Sequence, residues 1–280
     1  MISNAHSPVV LVHGAWHGAW CWRKLVPLLV DEGLEVFTPT QTGVGEKADL
    51  LSKDISLETF IQDITDFLTE RDLQNVVLVG HSFAGISISG VADRMPERIS
   101  RLVYLDALLL QNDQSVFDII PPDMVQARRE LAEQSSGGVS LPAPEPSVFG
   151  VTDAEDVQWV KSQCTPHPLS TYESKIKLTY GLGNGLPATY IAVLPHYQST
   201  TSSRNYAKAR SDWQYVEMQA GHDAMVTSPQ ALCELIAPLA KAQPVRVLSM
   251  EDRVLKFIEG HNRQIWIGIA VVVALVVLFK

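Results

Sequence analysis

Residues 76–85 read Val-Val-Leu-Val-Gly-His-Ser-Phe-Ala-Gly, and the fold can be argued outward from them. A run of β-branched and apolar side chains ends in the turn Gly80-His81-Ser82-Phe83-Ala84, and residues 86–91 can continue as a helix. A strand that turns sharply into a helix lifts a serine hydroxyl above the sheet edge, at the cost of a strained backbone. Gly80, Ala84 and Gly85 leave room for that turn, so Ser82 is the candidate nucleophile. Ala84 stands where the strict Gly-x-Ser-x-Gly pattern has its second glycine, so the surrounding sequence has to decide.

Two further segments supply that context. Upstream, Pro8-Val-Val-Leu-Val is a buried strand that runs into His13-Gly14-Ala15-Trp16 and then His17-Gly18-Ala19-Trp20. A strand-end His-Gly pair suits a loop whose amides face a developing oxyanion, and the amides of Ala15 and Phe83 are the two candidate donors. Downstream, Gly221-His222-Asp223 follows the strand-like segment 213–218. A histidine on the loop after the last strand can deliver a general base to Ser82, and the order Ser then His fits this arrangement.

The stretch His13-Gly-Ala-Trp-His-Gly-Ala-Trp-Cys-Trp22, with residues 39–45, 80–82 and 221–225 in matching order, resembles the α/β-hydrolases. Within them it is similar to the small esterase group that includes plant methyl esterases and hydroxynitrile lyases. The resemblance spans about residues 8–240 and implies a serine hydrolase fold and chemistry. The lyases of that group carry a threonine after the first histidine and a lysine after the catalytic one. Here those positions hold Gly14 and Asp223, which disfavours cyanide chemistry.

In most α/β-hydrolases the triad acid follows the strand before the histidine strand. That strand is expected at 188–194, yet residues 187–211 hold no Asp or Glu before position 212. One strand earlier, residues 101–105 end in Asp106, where some members of the superfamily place the acid. Asp106 is therefore expected to hold the His222 imidazole in its working tautomer. Asp223 is the rival, but adjacent to His222 in the chain it would strain to reach that ring.

The remaining histidines have plainer readings. His81 is expected to pack or bond locally, His13 and His17 to shape the oxyanion loop, and His167 to lie on a loop between prolines. His196 sits at the vacant acid position and is a candidate for the pocket wall. No cluster has zinc-ligand spacing, so neither a metal nor another cofactor is expected.

Strands are expected at 9–12, 35–39, 76–79, 102–105, 189–194 and 213–218, and helices at 22–32, 57–71, 83–95 and 229–241. In 57–71 the apolar residues Leu57, Phe60, Ile61, Ile64, Phe67 and Leu68 recur at helical spacing behind a Ser56 N-cap. Such alternation predicts an α/β architecture: a mostly parallel sheet of at least six strands, with flanking helices and an inserted helical cap. The core is expected at 1–106 and 188–243, and the cap at 107–187, helical at 123–134 and 153–163. Trp16, Phe117, Trp159 and His196 are candidate pocket residues, favouring a small apolar or aromatic substrate.

A net charge of −9 and a pI near 5.3 disfavour a nucleic-acid surface. The three cysteines, Cys21, Cys164 and Cys233, are too few and too scattered for a disulfide framework. A charged linker helix is expected at 244–264, followed by a charge-free apolar run at 265–279 closed by Lys280. As a helix that run would cover roughly 22 Å, short of the ~30 Å hydrocarbon core. A C-terminal membrane anchor with the enzyme facing the cytosol is the expectation there, against an edge strand or a dimer contact. The expected activity is hydrolysis of a carboxylic ester. The alternatives are lactone hydrolysis by the same residues and a non-catalytic small-molecule receptor.

Overall fold

The computed structural model describes residues 6–242. Six strands form one parallel sheet: β1 (Val9–Val12), β2 (Val36–Phe37), β3 (Val76–His81), β4 (Ile99–Leu105), β5 (Ala188–Leu194) and β6 (Trp213–Gln219). Their spatial order is β2-β1-β3-β4-β5-β6. Helices fill the crossovers: α1 (Leu25–Asp31), α2 (Leu57–Glu70), α3 (Ala84–Arg94), then α4 (Pro122–Ser136), α5 (Ala154–Gln163) and α6 (Leu169–Glu173) between β4 and β5. The chain continues with α7 (Thr201–Ala209), α8 (Ala224–Thr227) and α9 (Pro229–Lys241).

Side-chain alternation explains why both faces of the sheet are covered. Val9, Leu11, Val77, Val79, Val103 and Leu105 share a core with Leu25 and Leu29 of α1 and Leu232 and Ile236 of α9. The intervening residues face the other way, where Gly80 lies against Ile88 of α3. Every residue of β3 is buried. The expected stripe on α2 is buried except for Phe67, which is half-buried and packs edge-on against Phe37. Ser56 and Thr59 form a reciprocal capping box at the start of that helix.

Two expected elements are shorter than their sequence pattern. The helix at 22–32 is a 3-10 turn, Ala19–Trp22, followed by α1. The Ala19 and Trp20 amides are held by the Glu46 carboxylate at 3.0 and 2.9 Å, which fixes a separate turn ahead of the helix. The strand at 35–39 contracts to the two residues of β2, an edge strand whose continuation meets Pro39, which has no amide to donate.

The register determines what gathers at one sheet edge. Val12 pairs with Gly80, His81 with Leu105, Leu105 with Ile191 and Leu194 with Gln219. The carboxyl ends of β1, β3, β4 and β6 therefore lead directly to His13, Ser82, Asp106 and the loop bearing His222. The order also reverses between β1 and β3, the topological switch where open α/β sheets bind ligands.

Residues 107–187 carry α4–α6 and a two-residue antiparallel ribbon, Ser140–Leu141 with His167–Pro168. This insertion belongs to the same compact unit as the sheet. The expected linker helix at 244–264 and apolar tail at 265–280 lie outside the described residues. Among the described residues no helix is long and apolar enough to cross a membrane.

Leu78 is fully buried at the centre of β3. Leu78→Ala is expected to destabilise the protein by about 2–5 kcal/mol, read as a lower urea midpoint with an unchanged slope.

Candidate active site

Ser82 sits on the turn between β3 and α3 with φ +54°, a left-handed conformation unusual for a side-chain-bearing residue. Its amide donates to the Leu105 carbonyl at 3.1 Å, and its own carbonyl accepts from the amides of Gly85 and Leu108 at 3.2 and 2.9 Å. These bonds over-determine the strained turn. Ser82 Oγ then lies 2.9 Å from His222 Nε2. His222 Nδ1 lies 2.7 Å from Asp106 Oδ2, and the other Asp106 oxygen accepts from Thr200 Oγ1 at 3.0 Å.

Asp106 also takes a left-handed turn, φ +38°, held by its amide to the Ile191 carbonyl at 2.7 Å. With no exposed surface, and both carboxylate oxygens accepting, it is fixed in position. Past β5, in a stretch with no Asp or Glu before Asp212, Tyr197 stacks flat on the His222 ring at 3.9 Å and 22°. Thr200 and Tyr197 were not singled out from the sequence. Their only signal was membership of the loop that follows β5.

The loop after β1 closes tightly over Ser82. A Cβ on Gly14 would stand 2.8 Å from Ser82 Cβ and 3.0 Å from His81 Nδ1, so only glycine allows this approach. His13 Nδ1–H donates to the Gly14 carbonyl at 2.9 Å, while His13 Nε2 accepts from the Gln41 amide at 3.1 Å. The Gly14 carbonyl and the Ala15 amide share one planar trans peptide and point in opposite directions. Pinning that carbonyl therefore aims the Ala15 N–H. Among the described residues neither the Ala15 nor the Phe83 amide donates to another protein group. Both are available to a developing anion.

The insertion is bonded to both loops. Trp16 donates from Nε1 to the Leu141 carbonyl at 3.1 Å, and its carbonyl accepts from the Thr165 amide at 2.9 Å. The Phe149 carbonyl accepts from the Asp223 amide at 3.0 Å. Around Ser82 the insertion contributes aromatic rings: Tyr172 and His167 lie 5.2 and 4.9 Å from Phe83, and Phe149 lies 5.9 Å from Trp16. Phe117 joins this cluster through Tyr172 at 6.0 Å. Of the four expected pocket residues, the cluster brings together Trp16 and Phe117. The Trp159 ring instead lies under the Arg23 guanidinium and edge-on to Trp20, and His196 is exposed with Nδ1 bonded to the Val193 carbonyl.

Burial sets the charge of the surrounding histidines. It pushes His13 down to about 4 and holds His81 and His167 well below the usual imidazole value. All three are therefore neutral near pH 7, in keeping with His13 accepting from Gln41 and with His167 Nδ1 accepting from the Trp16 amide at 3.4 Å. Among the described residues no group of histidine, cysteine or carboxylate side chains could hold a metal ion.

The model of the alpha/beta hydrolase family matches residues 9–235. The chain belongs to that family. It is 38% identical over 241 residues to a carbendazim hydrolyzing esterase of Nocardioides sp. (strain SG-4G), covering 82% of this chain and 98% of that one. It is 26% identical to a putative chloroplastic methylesterase of Arabidopsis thaliana, covering 84% of this chain and 64% of the plant protein. An extracellular α/β-hydrolase of a Paenibacillus species, described as sharing structural and functional homology with tobacco salicylic acid binding protein 2, superimposes with a TM-score of 0.71. That match has 24% identity and covers 84% of this chain and all of the other. In this α/β-hydrolase the expected fold class is thus observed: six parallel strands with flanking helices.

The three neutral histidines make a pH prediction. Their folded values lie below the unfolded value of about 6.5, so unfolding takes up protons between the two, and stability falls as pH drops through that window. Near pH 5 His17 and Asp223 keep the same charge in both states and do not offset this. Urea midpoints measured from pH 7 to pH 4.5 are expected to fall, with a slope approaching three protons, about 1.4 kcal/mol per pH unit for each. Replacing His13 by Gln is expected to remove about one proton from that slope.

Proposed function

We propose that this α/β-hydrolase cleaves carboxylic esters through Ser82, His222 and Asp106, with an acyl-enzyme intermediate. The observation that carries the reading is the continuous relay from Ser82 Oγ through His222 to Asp106, with links of 2.9 and 2.7 Å. Similarity to proteins named as esterases and methylesterases supports ester bonds as the target.

In this mechanism His222 Nε2 takes the proton of Ser82 Oγ as the oxygen attacks the substrate carbonyl carbon. The imidazolium that forms is stabilised by the Asp106 carboxylate, which the Thr200 hydroxyl orients toward His222 Nδ1. Negative charge collects on the former carbonyl oxygen, where the amides of Ala15 and Phe83 meet it. In comparable sites each such donor contributes about 3 kcal/mol. The tetrahedral intermediate expels the alcohol, which leaves with the proton from His222 Nε2. Water then enters, gives a proton to His222 and attacks the acyl carbon, releasing the acid and restoring Ser82.

The rings of Trp16, Phe83, Phe117, Phe149 and Tyr172 support a small apolar or aromatic substrate. Methyl esters of aromatic acids are the first compounds to assay, alongside carbendazim and p-nitrophenyl esters from acetate to octanoate.

Ser82→Ala is expected to abolish turnover without altering thermal stability. Asp106→Asn is expected to lower kcat by about 10³–10⁴, the scale of loss when a triad carboxylate is neutralised. Full activity in Ser82→Ala would reject the nucleophile, and activity unchanged in Asp106→Asn would reject the acid.

A further inference from the structure

Asp223 is fully buried beside His222 in the chain, yet the His222 ring bonds to Asp106 instead. The Asp223 carboxylate turns to a second set of histidines. His17 Nε2 lies 2.9 Å from Asp223 Oδ2, and His17 Nδ1 lies 2.7 Å from the Ala15 carbonyl. A carbonyl can only accept, so Nδ1 carries a proton, and a carboxylate at Nε2 calls for a second. His17 is thus an imidazolium paired with Asp223. Trp20 stacks on it at 5.0 Å and the Phe149 ring meets it edge-on at 5.2 Å, so the pair is closed off from water. Burial works against both charges, but their mutual attraction and hydrogen bond raise His17 and lower Asp223.

The other Asp223 oxygen has no hydrogen-bond partner and faces His81 Nε2 at 3.8 Å. That nitrogen donates to the His222 carbonyl at 3.0 Å, and the unpartnered Nδ1 leaves His81 neutral. Each of the two loops that must meet at the substrate is therefore held by a histidine at a backbone carbonyl: Ala15 by His17, His222 by His81. Both histidines face one carboxylate.

We propose that Asp223, acting through His17 and His81, is a positioning residue that fixes the loop of the Ala15 amide against the loop of His222. It touches no reacting atom. The Ala15 carbonyl bond sets the backbone angle next to the amide offered to the oxyanion, and the Asp223–His17 pair holds that bond in a single orientation. This inference rests on the ester-hydrolysis reading above.

The test uses the full chain with p-nitrophenyl acetate, comparing wild type with Asp223→Asn, His17→Gln and the double variant, and thermal unfolding alongside. The single variants are expected to lose kcat by about 10- to 100-fold, the scale of a small misplacement, with KM within about twofold. The double variant is expected to lose no more than the worse single one, because the two residues act as a unit. If Asp223→Asn does not fold, His17→Gln carries the same reading, since its amide can reach Asp223 but not the Ala15 carbonyl. In wild type, ¹⁵N NMR near neutral pH is expected to show both His17 ring nitrogens protonated and only one in His81. A neutral His17, kcat within about twofold of wild type in the folded variants, or losses that multiply in the double variant, each overturn the proposal. Wild type without turnover is a failure of the ester-hydrolysis reading, and the proposal falls with it. Turnover in wild type that survives unchanged in Asp223→Asn is a failure of this inference alone.

Discussion

The site depends on how adjacent parallel strands end together. The ladder β1-β3-β4-β5 runs in register to its carboxyl edge, and two bonds extend it one residue past the strands: Ser82 amide to Leu105 carbonyl, and Asp106 amide to Ile191 carbonyl. Both residues that leave the ladder take left-handed backbone angles. Such angles are costly for serine and aspartate and persist only where neighbouring structure enforces them. The sheet supplies that enforcement. Its interior is packed on both faces, so a one-residue slip would send every side chain of a strand to the opposite face and break the packing on both. The position of a hydroxyl near the surface is thus set by the packing of valines and leucines several residues away.

Above that edge, the electrostatics are divided into two compartments. One holds Asp106, His222 and Ser82, with the carboxylate bonded to one nitrogen of the imidazole and the hydroxyl to the other. The other holds Asp223, His17 and His81, with His17 bonded to the Asp223 carboxylate and His81 to the His222 carbonyl. Because His17 pairs with Asp223, the second carboxylate is matched locally, and the Asp106 carboxylate is the one that bonds the His222 ring. His13 and His167 add no charge, being held neutral by burial. Four buried histidines near Ser82 therefore contribute geometry, and one of them pairs with a carboxylate.

Much of this was legible in the chain because it is local. The strand, turn and helix around Ser82 lie within some twenty consecutive residues, and the α2 stripe with its Ser56 cap follows helical spacing alone. The contact of Asp106 with His222 could be expected from sequence because a carboxylate at the end of a strand next to β3 has little distance to cover. The contacts that remained hidden join distant parts of the chain. His17 and Asp223 are 206 residues apart, and nothing in either neighbourhood encodes the pairing. Thr200 and Tyr197 belong to a loop without regular periodicity, whose path depends on where β5 stops. Trp159 is the reverse case: an aromatic on the insertion reads as pocket lining, but the neighbouring Arg23 guanidinium and Trp20 claim its ring.

The position of the carboxylate bonded to His222 also frees a piece of the molecule. With the carboxylate carried by the end of β4, the connection from β5 to α7 keeps only a hydroxyl and a ring near the imidazole, Thr200 beneath Asp106 and Tyr197 on the face of His222. A connection that must present a charged group at a fixed point tolerates little change in length or course. One that supplies an aromatic surface can be rebuilt with other planar or apolar side chains. The chain of bonds from Ser82 through His222 to Asp106 therefore places no charge requirement on that segment.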